Sequence, residues 1–249
     1  MRTLAKILSI SILVFNVNQL NAQENKIKQW EKKAFQAYEN SSIFMWKQLA
    51  TQADQVLSKP NTDKESKIAA IKLKYGLLYG CLSNQDKDTY EQYLEKTLDQ
   101  LNTLMDKYPN SSDLYCISAA LMSVQMGFTP MKGMTLGSLS GKHIDQSIKL
   151  DSLSAMAWRQ YAGSKYFTPK MWGGDIEEAI KKYEYSIKLY EKQNLTQDWT
   201  YVDAIVWLGI AYRKVGKTEK AKAAFEKALT VAPEFGWVKN QLLPSVSKL

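Results

Sequence analysis

Hydrophobic residues in the last part of this chain recur at spacings of three and four, which is the period of an amphipathic helix. The segment from 207 to 235 predicts two such helices, separated by a turn at 215–217 and closed by a proline that cannot continue a helix. Glycine and alanine at several of the apolar positions let the two backbones approach closely. The residues that carry this pattern are Leu208, Gly209, Tyr212, Ala221, Phe225, Ala228 and Pro233.

Similar pairs of amphipathic segments precede this one. Asp175 and Glu178 form a capping box that starts the second helix of the nearest pair. Two more amphipathic helices are predicted within 23–60, and a short helix within 236–249 would cover the exposed apolar end of the array. The paired segments are 68–82 with 89–109, 112–126 with 141–151, and 155–167 with 176–190.

The pair at 207–235 closely resembles the tetratricopeptide repeat, a 34-residue helix-turn-helix unit with the same L-G-x-x-Y, A-x-x-x-F-x-x-A and trailing proline spacing. The resemblance implies an all-α solenoid of antiparallel helix pairs with a C-terminal capping helix. It implies about four repeats in 61–235, preceded in 23–60 by a degenerate repeat or a cap. In this family the first helix of each pair lines a concave groove, but the fold does not determine the function.

The first 22 residues follow a different pattern. Arg2 and Lys6 precede a short apolar run at 7–15, and a polar stretch ends at Ala22, which predicts a secretory signal peptide cleaved before Gln23. A membrane anchor is the alternative, but the run is shorter than the roughly 20 residues that span a bilayer. We therefore expect an exported protein, periplasmic or secreted, with no integral membrane segment after cleavage.

Composition and charge argue against two classes of protein, disordered chains and nucleic-acid-binding proteins. Of the 249 residues, 45% are hydrophobic and 23% charged, which is enough apolar material for a core and argues against global disorder. The formal net charge is +8, but lysine and glutamate alternate at helical spacing, as in Glu177 with Lys181 and Glu184 with Lys188. Nucleic-acid binding would need a clustered basic stripe, which the sequence lacks.

Side chains suited to catalysis or metal binding are scarce. His143 is the only histidine, whereas a metal site needs three or four converging ligands. The stretch at 137–141 has Leu139 where a nucleophile elbow has serine. Cys81 and Cys116 are interpreted as buried hydrophobes, with a disulfide left open. The sequence therefore predicts no catalytic residue, no metal and no cofactor.

The tripeptide Phe-Thr-Pro occurs at 128–130 and again at 167–169, each time where a first helix ends. Proline terminates the helix and both Phe residues could pack as its last core residues, so a purely structural turn explains the tripeptide. A purely structural turn explains less well the residues that follow on the two enlarged turns. They are flexible apolar, aromatic and cationic, as is typical of an adaptable contact surface. Those residues are Met131, Lys132, Met134, Lys170, Met171 and Trp172.

Two functions agree with these features. The first is a non-catalytic exported scaffold that binds a protein partner through the groove and the two turns. The alternative is a periplasmic small-molecule binding or handover protein, because the second turn resembles an insertion in the T-components of tripartite substrate-binding transporters; a deep apolar cavity with Arg159 and Lys170 would favour it. The predicted partner-binding residues are Lys132, Arg159, Tyr166, Lys170, Met171, Trp172, Asp203, Arg213 and Lys214.

Overall fold

The computed structural model describes residues 23–247, so the predicted signal peptide at 1–22 lies outside the described residues. Within that range the chain forms helices and short connections, with no strand, and none of these helices has the length and apolar character to cross a membrane. The helices are α1 (23–39), α2 (Ile43–Leu57), α3 (Lys64–Asn84), α4 (Lys87–Lys107), α5 (Ser112–Phe128), α6 (Gly133–Leu150), α7 (Ala155–Phe167), α8 (Ile176–Lys192), α9 (Trp199–Lys214), α10 (Thr218–Val231) and α11 (Pro244–Ser247).

Helices α3 to α10 pack as four consecutive pairs, α3 with α4, α5 with α6, α7 with α8, and α9 with α10. The first helices of successive pairs also contact one another, because α5 packs on α3 and α7, and α7 packs on α9. Helix α2 packs on α3, and a π-helical turn at Val238–Leu242 packs with α11 on α10. This arrangement confirms the predicted all-α helical-repeat solenoid.

The signature residues of the last pair form the contact between α9 and α10. Ala221, Phe225 and Ala228 are fully buried. A Cβ atom built on Gly209 would lie 2.5 Å from Cε1 of Phe225, which is too close for any side chain. Glycine is therefore needed at this position because the phenyl ring occupies the space beside the α9 backbone.

Helices α1 and α3 meet the start of the last pair across the inner side of the solenoid. Lys72 of α3 forms an ion pair with Asp198, which precedes α9. The ring of Tyr38 on α1 packs 5.2 Å from that of Trp199 on α9, centroid to centroid. The open groove implied by the family resemblance is therefore filled in this region by the chain's own side chains.

Candidate functional site

Arg159 of α7 and Asp203 of α9 form an ion pair in the interior. Arg159 Nε donates to Asp203 Oδ2 at 2.6 Å, and the side chains are 6% and 0% exposed. Asp203 Oδ1 accepts hydrogen bonds from the hydroxyls of Tyr38 at 2.8 Å and Tyr79 at 2.6 Å. Arg159 also donates to the Tyr75 hydroxyl at 3.2 Å. This network, the buried polar centre, joins α1, α3, α7 and α9.

The surroundings within the buried polar centre shift the pKa values of Arg159, Tyr38 and Tyr79. Burial by itself lowers the pKa of Arg159, but the carboxylate of Asp203 raises that pKa well above its ordinary value. Burial is the larger cause, and the same carboxylate the next, of a pKa well above the usual range for both Tyr38 and Tyr79. The arginine therefore stays charged and the phenols stay protonated, which suits a structural network rather than acid–base catalysis.

The placement of Arg159 and Asp203 differs from the sequence expectation that they face a partner. Both belong to first helices of a pair, where an exposed polar face was expected, yet neither offers surface for contact. Their burial depends on contacts between residues far apart in the chain, since Tyr38 and Asp203 are 165 positions apart. In this structure both side chains belong to the buried network.

The other seven predicted residues lie at one edge of the solenoid. Because α5, α7 and α9 each open a pair and run in the same direction, their carboxyl ends share this edge. Lys132 lies in the turn after α5, Tyr166 near the end of α7, Lys170, Met171 and Trp172 in the turn after α7, and Arg213 and Lys214 in the last turn of α9.

The most exposed large apolar side chains of residues 23–247 lie at this edge, in the two turns and at the start of α6. Met131, Met134, Met171 and Trp172 are 80%, 84%, 81% and 70% exposed. Methionine is flexible and polarizable, and tryptophan carries a large contact area, so both suit surfaces that adapt to a partner. We call these four residues the apolar edge.

The backbone of the second turn is fixed by its own hydrogen bonds. The Trp172 and Gly174 amides both donate to the Pro169 carbonyl oxygen, at 2.9 and 3.2 Å. A Cβ atom on Gly174 would lie 1.7 Å from the Thr168 carbonyl oxygen, so only glycine fits there. The turn therefore holds Met171 and Trp172 outward on an ordered backbone.

Beside the apolar edge, Tyr166, Phe167 and Trp207 form a cluster that we call the aromatic corner. The Phe167 ring centroid lies 4.8 Å from that of Trp207 and 4.9 Å from that of Tyr166, with the ring planes nearly perpendicular. Phe167 is 63% exposed, whereas Phe128 in the equivalent turn stacks on Tyr90 at 4.0 Å. The expectation of a packed Phe therefore holds for the first turn and is wrong for the second.

A family model described as Tetratricopeptide repeat matches residues 202–235, which cover the signature in α9 and α10. The last helix pair therefore contains a tetratricopeptide repeat. The fold of the chain is similar to that of the HusA haemophore from Porphyromonas gingivalis, with a TM-score of 0.60 and 16% identity over 75% of this chain and 93% of the other. It is also similar to TTC0263, a tetratricopeptide repeat protein of Thermus thermophilus, with a TM-score of 0.59 and 15% identity over 90% of this chain and 100% of that one. No curated protein matches by sequence.

The protein also has a cleft at its opposite edge, where α5, α7 and α9 begin. The cleft has a volume of about 250 Å³, and its walls include the Lys72–Asp198 ion pair and Asp113. Burial raises the pKa of Asp113. Neither Arg159 nor Lys170 lines this cleft, so it is not the cavity that the small-molecule alternative required.

The two cysteines and the histidine of the described chain are buried or half-buried. Cys81 and Cys116 are buried and unpaired, and burial raises the pKa of each thiol to about 12. His143 Nδ1 lies 3.0 Å from the Ser118 hydroxyl. Among residues 23–247, no group of three or more histidine, cysteine, aspartate or glutamate side chains could hold a metal ion.

Asp198 is the residue from which we expect acid sensitivity of the stability. Its carboxylate caps α9 by accepting from the Thr200 amide at 3.0 Å and pairs with Lys72. Burial raises the pKa of Asp198, but the charge and hydrogen bond of Lys72, together with the two hydrogen bonds from Thr200, lower it overall below the ordinary 3.8. Because the folded-state pKa is the lower one, this stabilisation is present above the unfolded-state pKa and is lost as pH falls through the folded value.

We therefore expect Asp198→Asn to melt at a lower temperature than the wild type at neutral pH, with the difference shrinking as the pH falls below about 4. Thermal melts followed by circular dichroism across this range measure it. A difference in melting temperature that stays constant with pH would show that the ion pair does not set the acid sensitivity.

Proposed function

We propose that this protein is a non-catalytic scaffold that binds a protein partner through the apolar edge. The observation that carries the proposal is the exposure of Met131, Met134, Met171 and Trp172, the four most exposed large apolar side chains in residues 23–247. Export, as predicted from residues 1–22, is part of the proposal, and the partner would then be periplasmic or extracellular.

The free energy of burying apolar surface favours a partner that covers the apolar edge. Apolar surface gains roughly 25 cal/mol for each Å² removed from water, and these four side chains offer such surface in the free protein. The hydrogen-bonded turn has already ordered the backbone beneath Met171 and Trp172, so binding costs little further conformational entropy. A partner that spans both turns would cover all four side chains at once.

The inner side of the solenoid contributes to this function indirectly. The buried polar centre links α1 and α3 to α7 and α9, so the turn after α7 projects from helices that side-chain hydrogen bonds hold together. A partner does not have to enter the groove, because the edge is already presented to solvent. This differs from the groove-centred version of the scaffold hypothesis.

The small-molecule binding or handover function is the second candidate. One of the similar folds is a haemophore, and the aromatic corner supplies exposed ring surface for a planar ligand. Against it, the 250 Å³ cleft lies at the other edge and does not include the predicted basic residues. The protein-binding function is therefore the one the geometry supports best.

The proposal is tested by affinity capture with the tagged protein from extracts of its source cells, with quantification by mass spectrometry. We expect a protein that the wild type enriches to be at least ten-fold depleted with Met171→Ala/Trp172→Ala. The matched control is Leu153→Ala, because Leu153 is 52% exposed and lies at the opposite edge. It should capture the same protein as the wild type.

The same variants are compared by thermal melting. Exposed residues outside any packing feature change the free energy of unfolding by less than about 0.5 kcal/mol, so Met171→Ala/Trp172→Ala should melt close to the wild type. Equal capture by all three proteins would rule out the apolar edge as the binding surface. A large fall in melting temperature would instead return the turn to a structural role.

A further inference from the structure

Two cations beside the aromatic corner have no carboxylate partner in the part of the chain that the structure describes. Arg213 Nη1 donates to the hydroxyl oxygen of Ser245 at 2.7 Å, which is a neutral partner. Lys214 Nζ lies 4.7 Å from the ring centroid of Tyr166. Both side chains are exposed in the last turn of α9. Their positive charge is therefore available to an anion.

Two carboxylates in the first turn of α8 have other partners. Glu178 accepts from Tyr161 and pairs with Lys165. Glu177 pairs with Lys217 at 2.9 Å. Arg213 and Lys214 thus form no ion pair within residues 23–247, in a chain with a formal net charge of +8.

The aromatic corner itself presents apolar surface. The Trp207 indole N–H donates to the Tyr79 hydroxyl at 3.0 Å, so its only polar group is satisfied on the inner side. Phe167 stands at 70° to the Trp207 ring and remains mostly exposed. Another aromatic ring can pack there in the edge-to-face geometry that aromatic pairs prefer.

We propose that the aromatic corner, with Arg213 and Lys214, binds an acidic segment of a protein partner that carries an aromatic side chain. The aromatic side chain packs against Phe167 and Trp207, and the flanking carboxylates pair with the two cations. Arginine suits this role because its planar guanidinium can bind a carboxylate through two parallel hydrogen bonds. Opposite charge on the two surfaces selects acidic partners and speeds their encounter.

This proposal rests on the proposed function, because it describes the chemistry of the partner that the adjacent apolar edge holds. Binding of the partner has two separable contributions. Charge on the partner is recognised by Arg213 and Lys214, and the aromatic group is recognised by Phe167. Each contribution has its own variant and its own peptide.

The test is fluorescence anisotropy of labelled peptides with the full mature chain. The probe is Gly-Asp-Glu-Trp-Glu-Asp-Gly, amidated at its carboxyl end so that only side-chain carboxylates are present. Two comparison peptides replace the acids by their amides, or the tryptophan by alanine. We expect the acidic tryptophan peptide to bind at least ten-fold more tightly than either comparison, and its affinity to fall as salt rises.

The protein variants separate the contributions. Arg213→Gln/Lys214→Gln and Phe167→Ala should each weaken binding of the acidic peptide at least ten-fold. Lys188→Gln/Lys192→Gln removes the same charge from two exposed lysines in the later part of α8, toward the opposite edge, and should change the affinity less than two-fold. Circular dichroism melts establish that each variant is folded.

Four outcomes would overturn the proposal. The amide peptide could bind as tightly as the acidic one, or the two double variants could weaken binding equally. Indole-3-acetate could compete at the same concentration as the peptide, which would make the corner a small-molecule site. If no peptide binds while Met171→Ala/Trp172→Ala still loses its captured protein, the partner chemistry is wrong and the apolar edge stands.

Discussion

Asp203→Ala is expected to lower the free energy of unfolding by about 3–5 kcal/mol, because it leaves a buried arginine without its counter-ion. Asp203 is fully buried and accepts from Arg159, Tyr38 and Tyr79. Without it, one guanidinium and two phenols lose their carboxylate acceptor in the interior. Since folded domains are stable by only about 5–15 kcal/mol, this variant should be close to the limit of folding.

Urea unfolding followed by circular dichroism measures the loss, and a double variant supplies the control. Arg159→Met with Asp203→Leu removes both charges together, and replacing a buried pair by apolar residues is often neutral or stabilising. We therefore expect the double variant to be more stable than Asp203→Ala. A single variant that loses less than about 1 kcal/mol, the size of an ordinary net hydrogen bond, would contradict the role given to the buried polar centre.

Gly209→Leu is expected to cost about 1–3 kcal/mol or more through overpacking between α9 and α10. Its Cβ atom alone would lie 2.5 Å from a fully buried phenyl ring, and the rest of the leucine side chain adds to the clash. The matched control is Gly141→Ala in the middle of α6, where a Cβ atom meets nothing within 4 Å.

Thermal melting compares the two glycine variants with the wild type. Gly141→Ala should leave the melting temperature unchanged or raise it, since alanine favours the helix by up to about 1 kcal/mol over glycine. Gly209→Leu should lower it by several degrees. Equal melting temperatures for the two variants would show that the α9–α10 contact is looser than the structure indicates.

The sequence predicted the helix pairs well because their signal is local. Spacing of three and four along 207–235, with a glycine turn and a terminal proline, is enough to place α9 and α10 and to identify their contact faces. The same reasoning missed the burial of Arg159 and Asp203. A polar residue on a first helix has the same local pattern whether it faces water or a distant helix, and only the contact with α1 and α3 decides between them.

The two Phe-Thr-Pro turns show the same limit. Proline and glycine in the sequence predicted where the helices end, and both turns form short 3-10 segments. The exposure of the two Phe side chains could not be predicted from the sequence, because it depends on neighbours from other helices. Tyr90 covers Phe128 by stacking, whereas Phe167 meets Trp207 only at its edge. Exposure of the apolar edge and the aromatic corner thus follows from tertiary packing.

Photo-cross-linking at position 172 tests the central claim most directly. Trp172 is replaced by a photoreactive benzoyl-phenylalanine in the full chain in its source cells, and Leu153 is replaced in the same way as the control. We expect light to attach one protein to position 172, reduced by excess unlabelled wild-type chain, and nothing specific to position 153. No adduct at position 172, or the same adducts at both positions, would contradict a partner-binding apolar edge.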